Sequence, residues 1–434
     1  MTQTQTQTGS SSGDRGDSPD PGDQVGGLLR LGLVVLGGMV AAVATGVTST
    51  VLVVLAIVVM IMLHELGHFA TAKWAGMKVT EYFLGFGPRL WSIRKGDTEY
   101  GVKAIPAGGY VRIIGMSNLD KVDPEDEHRT YRQKPYWRRL SVAVAGSTVH
   151  FILAFILLFS IFAFVGVENA DQPNLEVGTI SRLESGPSPA QQAGFEVGDR
   201  LLAVDGRPLE QWEDIPPYIW DRPGEEIVFT VERAGRELDL TATPIDLSKV
   251  RIGDGTPLSS EPKGFVGVGP TFPVEKFGLV ESAGKSFTGL GRATVDTVKA
   301  LGSIFSPDGA SSYGRQLAGG ESDPEEGDPR FLSPVGFARV ASQAADTGVR
   351  EVLALLFMIN VFVGLFNMIP LLPLDGGHVI IATYEKIRSR KGRPYHADVA
   401  KAMPIYYMFF LVLVFIGASS LYLDIVRPIA NPFE

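Results

Sequence analysis

The sequence predicts a multi-pass α-helical membrane protein with a membrane-associated β-hairpin and an inserted α+β domain. The chain has 434 residues, 45% of them hydrophobic. Several stretches are nearly free of charge over the roughly 20 residues that a helix needs to cross a bilayer. A polar, glycine-rich segment and a long acidic segment separate these stretches. A chain of this length is also too long for one ordinary domain.

The composition restricts the chemistry that the chain can carry. The net charge is −9 and there is no cysteine. Thiolate metal ligands and structural disulfides are therefore excluded, and any metal ion must be held by histidine, aspartate or glutamate.

The N-terminal region combines a polar tail with a long apolar tract. Residues 1–27 alternate threonine with glutamine and then favour serine, glycine, aspartate and proline, so we predict a disordered tail. The tract 28–63 is too long for one span and just long enough for two. We predict an additional transmembrane helix within 28–50; the alternative is one long tilted helix.

The next predicted transmembrane helix, 51–70, carries the motif His64-Glu65-Leu66-Gly67-His68. An ionisable residue within a bilayer costs at least about 2.5 kcal/mol unless it has a partner or a function. Residues four apart share one helix face, so both histidines can bind one metal ion while Glu65 reaches the attacking water. This pattern is typical of zinc proteases.

Residues 71–139 are basic, with 13 lysines and arginines against 8 acidic residues, and are predicted to form a cytoplasmic loop. Within them, 98–115 is predicted to be a re-entrant β-hairpin. Its strands are 98–105 and 110–114, and its turn is 106–109. The hairpin is either a small cytoplasmic element or a sheet edge that dips into the membrane beside the metal.

A further transmembrane helix is predicted at 140–167 and contains His150. A histidine in such a helix is expected to have a polar partner. We interpret it as a hydrogen-bonding residue between helices rather than as a metal ligand.

The acidic segment that follows, 168–345, has 28 acidic residues against 16 basic ones. Its stretch 177–206 resembles the PDZ module of bacterial proteases, and we predict a PDZ-like domain at 172–246 that takes an extended peptide. Residues 247–345 are predicted to form an extracytoplasmic linker.

Two parts of this linker have distinct patterns. Residues 282–305 have the apolar spacing of an amphipathic helix, which lies either on the membrane surface or on the soluble domain. Residues 306–330 are rich in glycine and acidic residues and are predicted to be flexible.

The C-terminal part contains two more predicted transmembrane helices, 351–378 and 403–425, and a basic cytoplasmic loop, 379–402. Because basic loops favour the cytoplasm, the hairpin and this loop should be cytoplasmic and the PDZ-like domain should lie outside. The C-terminus then ends outside, and the N-terminal tail is cytoplasmic.

A catalytic zinc ion usually has three protein ligands, and Asp375 is the best candidate for the third. It follows two prolines that open the helix, and the glycines after it let the backbone approach closely. Irregular backbone at this depth is tolerated where it lines a cavity. The alternative is a carboxylate that caps a helix end at the cytoplasmic surface.

Taken together, these motifs closely resemble the site-2 proteases, in the bacterial branch that carries an extracytoplasmic PDZ domain. The matching features are His64-Glu65-x-x-His68, Gly85-Phe86-Gly87-Pro88, the 101–116 hairpin, the PDZ-like core and the stretch 367–377. One departure is Gly146-Ser147-Thr148-Val149-His150, where the family tends to have Gly-Pro and then Asn.

The resemblance implies an intramembrane zinc metalloprotease in the cell membrane of a bacterium. It implies Zn²⁺ at His64, His68 and Asp375, and Glu65 as the general base. Substrate-binding residues would be Asn367 and, on the hairpin, Gly101, Val102, Tyr110 and Val111. Expected partners are the lipid bilayer and single-pass membrane proteins such as anti-sigma factors, cut after a first extracytoplasmic cleavage in regulated intramembrane proteolysis. No nucleic acid is expected.

Two other classes of protein share some of these features. A membrane metal or ion transporter would also place histidine and acidic residues in the membrane, but it usually shows internal repeats, and the sequence has none that we detect. A catalytically inactive PDZ adaptor would lack a zinc ligand or the general base, and this chain has all four residues.

Overall fold

The computed structural model describes residues 21–116, 120–183, 186–250, 258–304, 306–319, 331–389 and 395–428. These residues form two compact units. The first combines two stretches of the chain, the one that ends at Ile161 and the one that begins at Val280, and the second is Phe162–Leu279. Five helices among them are long and apolar enough to cross a membrane: Gly26–Thr45, Thr48–Trp74, Tyr136–Val165, Val349–Phe366 and Val399–Val426.

The N-terminal apolar tract forms two helices. Helix α1 is Pro21–Ala44 and helix α2 is Thr48–Trp74, and Gly46 between them has a positive φ of 74°. Residues 1–20 of the predicted tail lie outside the described residues. The prediction of disorder is wrong for 21–27, because α1 extends back to Pro21, and proline is well accepted at the start of a helix.

The polar segment after α2 forms a sheet whose turn differs from the predicted one. Strands β1, Val79–Lys95, and β2, Thr98–Ile113, pair antiparallel, and Lys95 is the partner of Thr98. The chain therefore reverses at Gly96, whose φ is 64°, and the predicted hairpin turn at 106–109 is wrong. A Gly-Asp pair between strands is itself a strong signal for a two-residue hairpin turn.

Because the strands bend, β1 and β2 pair with each other along more than one stretch, and each paired stretch is called a row of the sheet. Residues 81–84 of β1 pair with 109–112 on one side and with 99–102 on the other. Residues 99–102 pair in turn with 91–94, and Ile113 pairs with Val79, so 109–113 and 91–94 are the outer rows. Gly85, at a φ of 85°, allows β1 to bend between these rows.

Helix α3 is Tyr136–Ser160, and Ile161–Val165 continues it as a π-helical turn. It packs closely on α2, since a Cβ atom at Gly67 of α2 would lie 2.9 Å from the carbonyl oxygen of Ala145. The sheet is attached to α2 by a buried apolar cluster that includes Ala72, Val79 and Tyr131.

The Phe162–Leu279 unit is rich in short strands. Its elements are β3 (Val167–Glu168), β4 (Val177–Ile180), β5 (Arg182–Leu183), β6 (Gly186–Pro187), α4 (Pro189–Ala193), β7 (Arg200–Val204), β8 (Arg207–Pro208), α5 (Ile215–Trp220), β9 (Ile227–Arg233), β10 (Arg236–Ala242), β11 (Ile245–Asp246), β12 (Gly264–Phe265), β13 (Val268–Pro270) and β14 (Val274–Glu275). The largest sheet has the order β10-β9-β7-β8.

This unit has its own apolar core, which includes Phe195, Leu201 and Phe229. Burying each such side chain contributes roughly 1.5–3 kcal/mol. Because β13 pairs with β4, the unit extends beyond the predicted end at residue 246.

Three helices follow: α6 (Leu279–Ile304), α7 (Pro307–Leu317) and α8 (Pro334–Thr347). The predicted amphipathic helix corresponds to α6, which packs Leu290 on the cluster formed by α3 with residues 357–361 and leaves Phe287 exposed. The prediction of a flexible 306–330 is wrong for α7, because Ser306 caps this helix and Tyr313 hydrogen-bonds to Ser419 at 2.7 Å. Residues 320–330 lie outside the described residues.

The predicted transmembrane helix 351–378 is two helices. Helix α9 is Val349–Phe366 and α10 is Asp375–Arg388, because the intervening prolines cannot donate backbone hydrogen bonds and end the first helix. The loop predicted at 379–402 is therefore partly helical, and its residues 390–394 lie outside the described residues. Helix α11 is Met403–Val426.

Candidate metal centre

The two histidines of the motif lie on one buried face of α2. His64 is 8% exposed and His68 is 4% exposed, and their Nε2 atoms are 3.2 Å apart. The i, i+4 spacing places one imidazole a turn above the other. Both rings therefore present the same nitrogen to one point.

The third group arrives from a distant part of the chain. Asp375 is the first residue of α10, and its Oδ2 lies 3.5 Å from Nε2 of His64 and 3.2 Å from Nε2 of His68. The following turn is very tight, since a Cβ atom at Gly376 would lie 2.3 Å from the carbonyl oxygen of Met368. Glycine is required there because the loop before α10 folds back against the helix start.

These three atoms fit a zinc ion. With zinc bonds of roughly 2.0–2.1 Å and tetrahedral angles, ligand atoms should lie about 3.3–3.4 Å apart. The separations of 3.2, 3.2 and 3.5 Å match this spacing. A search of the residues that the structure describes for three or more histidine or acidic residues close enough to hold a metal ion finds this group.

The hydrogen bonds around the group also favour a cation. Nδ1 of His68 lies 2.7 Å from the carbonyl oxygen of Val142, to which it donates. Its Nε2 then carries a lone pair and cannot donate to Asp375, whose buried Oδ2 makes no hydrogen bond within the described residues. A metal ion satisfies the converging lone pairs, and the bond to Val142 orients the imidazole as such bonds do in metal sites.

Helix α3 forms one wall of the centre. A Cβ atom at Gly146 would lie 2.3 Å from Cε1 of His64 and 2.5 Å from Nε2 of His68. Only glycine therefore leaves room for both imidazoles at this point.

His150 is fully buried one turn further along α3, and its ring centroid is 5.0 Å from that of His64. Its Nδ1 lies 2.8 Å from Oδ1 of Asn360, whose amide donates to the carbonyl oxygen of Leu356. The structure thus gives His150 a polar partner on another helix and leaves it outside the ligand group. Asn360 was visible in the sequence only as a polar interruption of an apolar stretch.

Glu65 lies between α2 and the outer row of the sheet. A Cβ atom at Gly109 would lie 3.2 Å from Cγ of Glu65, and the backbone amide of Val111 faces the Glu65 carboxylate. Tyr82 fastens the sheet to α2 by donating to the carbonyl oxygen of Met62 at 2.8 Å. The outer row 109–113 is therefore held directly beside the motif.

The other predicted substrate-binding residues have different surroundings. Gly101 and Val102 lie in an inner row that is paired on both sides, so they offer no free edge, which contradicts the prediction that they bind substrate through a strand edge. The hydroxyl group of Tyr110 donates to Glu81 and accepts from Lys103. Asn367 is half-buried, and its carbonyl oxygen accepts the amide of Gly376 at 2.8 Å, next to Asp375.

Comparison with known proteins adds independent evidence. The model of peptidase family M50 matches residues 52–414. Zinc metalloprotease Rip1 of Mycobacterium tuberculosis is 32% identical over 406 residues, which cover 88% of this chain and 98% of the relative. Zinc metalloprotease Rip1 of Mycolicibacterium smegmatis is also 32% identical, over 410 residues, with the same coverage of 88% and 98%.

Among solved structures, the PDZ domain of the SdrC-like protein from Listeria monocytogenes matches part of the chain. The match covers 24% of this chain and 92% of that chain, with 14% sequence identity and a TM-score of 0.17.

Proposed function

Because the chain belongs to peptidase family M50 and is a zinc metalloprotease of the site-2 protease type, we propose a role for each residue of its metal centre. His64, His68 and Asp375 hold the zinc ion. A zinc ion in this position supplies Lewis-acid activation of water and of the scissile carbonyl group. Glu65 takes the proton of the attacking water and passes it to the leaving amine.

The observation that carries this proposal is the convergence of three residues from two distant helices. The nitrogen and oxygen atoms of the three ligand residues lie within 4.8 Å of one another, and Glu65 directly follows the first of them. A transporter or an inactive adaptor is not favoured, because the family is a peptidase family and all four residues are present.

The substrates are membrane proteins, as the family implies. A transmembrane helix hides its amide groups in its own hydrogen bonds, so it must unwind before its backbone reaches the metal, and lipid offers no replacement partners. We propose that the outer row 109–113 supplies them by accepting the unwound substrate as an added strand. This proposal replaces the inner-row residues of the sequence prediction.

The backbone directions support this role. The amide of Val111 faces Glu65, whereas the amide of Ile114 donates inward to the carbonyl oxygen of Lys78. Because directions alternate along a strand, the amides of Gly109, Val111 and Ile113 point away from β1. These are the donors that an added strand would use.

We predict that Val111→Pro slows cleavage of a helical transmembrane substrate by about 3- to 10-fold, since one hydrogen bond contributes roughly 0.5–1.5 kcal/mol. The amide of Val111 points away from β1, so the β1–β2 pairing and the zinc content should remain unchanged. Cleavage rates and zinc content of the purified protein in detergent would be measured together.

Two controls separate this role from an effect on Glu65. Val111→Ala keeps the amide and should cleave at the normal rate. A short soluble peptide that cannot form an added strand should lose little with Val111→Pro. Equal slowing of both substrates would mean that Val111→Pro acts by disturbing Glu65. Normal cleavage of the transmembrane substrate would exclude the strand edge as a docking site.

We also propose an orientation in the cytoplasmic membrane of a bacterial cell. The basic segments 73–139 and 385–401 lie on the cytoplasmic side, and the acidic PDZ-like unit lies outside. Substrates would be single-pass proteins of the anti-sigma-factor type whose outer domain has first been removed. The support is the charge segregation and the resemblance of residues 177–206 to a peptide-binding module.

Cysteine labelling tests this orientation directly, because the chain has no cysteine of its own. Glu237 and Lys95 are exposed positions in the two regions. We expect a membrane-impermeant maleimide to label Glu237→Cys in cells whose outer envelope has been permeabilised but whose cytoplasmic membrane is intact. Lys95→Cys should be labelled only after the cytoplasmic membrane is broken. The reverse pattern would contradict the orientation.

A further inference from the structure

The metal centre depends on how α3 and α10 are placed relative to each other. Helix α10 begins with Asp375, and α3 supplies both the carbonyl oxygen of Val142 that holds His68 and the surface of Gly146 against the two rings. A small shift of α10 along α3 would therefore move Oδ2 of Asp375 away from the two nitrogen atoms.

One ion pair connects these two helices. Nη1 of Arg139, on α3, lies 2.6 Å from Oε2 of Glu385, on α10, and the two side chains are only 9% and 3% exposed. Arg139 lies one turn before Val142, and Glu385 lies ten residues after Asp375, roughly 15 Å along the helix. Among the described residues, no other lysine or arginine pairs with a carboxylate with both side chains so deeply buried.

Further contacts hold both members of the pair. The guanidinium group of Arg139 lies 4.9 Å from the ring centroid of Tyr131, and the hydroxyl group of Tyr131 donates to the carbonyl oxygen of Arg139. The second carboxylate oxygen of Glu385 accepts the amide of Ala397 at 2.7 Å. Neither charged group can move without losing one of these contacts.

Stability alone does not explain such a pair. Replacing a buried ion pair with apolar residues of similar volume is often neutral or stabilising, because removing the charges from water offsets their attraction. A buried pair instead restricts the geometry, since each charge has one acceptable partner.

We propose that Arg139 and Glu385 are positioning residues that hold α10 on α3 where Asp375 meets the histidine pair. This inference rests on the proposed zinc ligands. Neither residue belongs to the group that would hold zinc, and the pair acts only through the placement of Asp375.

The test is the rate of zinc release from the full-length protein in detergent to a chromogenic chelator. Arg139→Met combined with Glu385→Met removes the charges and keeps the volume. We expect Tm to stay within a few degrees, zinc release to become about 10- to 100-fold faster, as for other residues that orient metal ligands, and added zinc to restore occupancy. Exchanging the charges, as Arg139→Glu with Glu385→Arg, should recover part of the lost zinc retention.

Two controls make the outcomes distinguishable. Arg233→Met with Asp199→Asn removes another ion pair, at 2.6 Å in the Phe162–Leu279 unit, and should leave zinc release unchanged. The zinc content of Asp375→Ala is measured alongside. If Asp375→Ala lacks zinc but the double-methionine variant releases it at the normal rate, the positioning role is excluded; if Asp375→Ala holds zinc as the unchanged protein does, the ligand assignment itself is wrong.

Should the double-methionine variant fail to fold, Glu385→Gln decides the question. It keeps an oxygen that can accept the amide of Ala397 but removes the charge that pairs with Arg139. Faster zinc release at an unchanged Tm would support the positioning role, and release at the normal rate would exclude it.

Discussion

Replacing Asp375 with alanine is expected to remove zinc from the purified protein and to abolish proteolysis. The change deletes one of the three proposed ligands and leaves the lone pairs of His64 and His68 with no anionic partner. The loss of zinc affinity should exceed the roughly 10- to 100-fold that follows loss of a residue that only orients a ligand. Metal analysis and cleavage of a transmembrane substrate would be measured on the same sample.

Buried histidines provide the matched comparison. His64→Ala should lose zinc as Asp375→Ala does. His150→Ala should retain it, because the His150 ring lies near His64 but is paired with Asn360. Full zinc occupancy in the Asp375→Ala variant would remove Asp375 from the ligand set, and loss of zinc in His150→Ala would add a residue to it.

Glu65→Gln is expected to reduce the cleavage rate by roughly 10²- to 10⁴-fold while the zinc content stays at about one ion per chain. Glutamine preserves the shape of the side chain between α2 and Gly109 but cannot accept the proton of the attacking water. The measurement is a single-turnover cleavage rate together with metal analysis. A variant that cleaves normally would mean that another group is the base.

The same variant should identify the substrates. Because it binds without cleaving, membrane proteins should accumulate on it in cells and be recovered with it. We expect single-pass proteins whose outer part is already short. Recovery of intact proteins with large outer domains would contradict the proposed order of cleavage.

The metal motif was readable from the sequence because its geometry is local. Four residues of helix place His68 one turn after His64 whatever the rest of the chain does, and the apolar residues around them require a helix. Asp375 could also be selected, since it is an acidic residue among helix-breaking prolines and close-packing glycines.

The sheet shows where sequence reasoning failed. The prediction placed the turn at 106–109, whereas the chain reverses at Gly96-Asp97. Residues 79–86 were not predicted as a strand, although they form the first part of β1. Their pairing with 109–112 brings a strand edge to Glu65, which depends on contacts with α2 rather than on intrinsic preference.

The prediction of flexibility from composition was wrong for part of the segment after α6. Residues 306–330 are polar enough to favour flexibility, yet α7 forms at 307–317. Its Tyr313 contacts Ser419 of α11, a partner more than a hundred residues away. Tertiary contact of this kind stabilises a helix that its own residues favour only weakly.

The sequence by itself determined the apolar helices and the acidic domain between them, and it selected the four residues that we propose for the metal centre, because these follow from hydrophobic length, charge and spacing along the chain. Only the tertiary structure decided that Gly146 leaves room for the histidines, that the Val142 carbonyl orients His68 and that Arg139 meets Glu385. The physical reason is that short-range spacing is set by helix geometry. Distances of 2–4 Å between remote residues are instead set by the packing of whole helices, which no local pattern records.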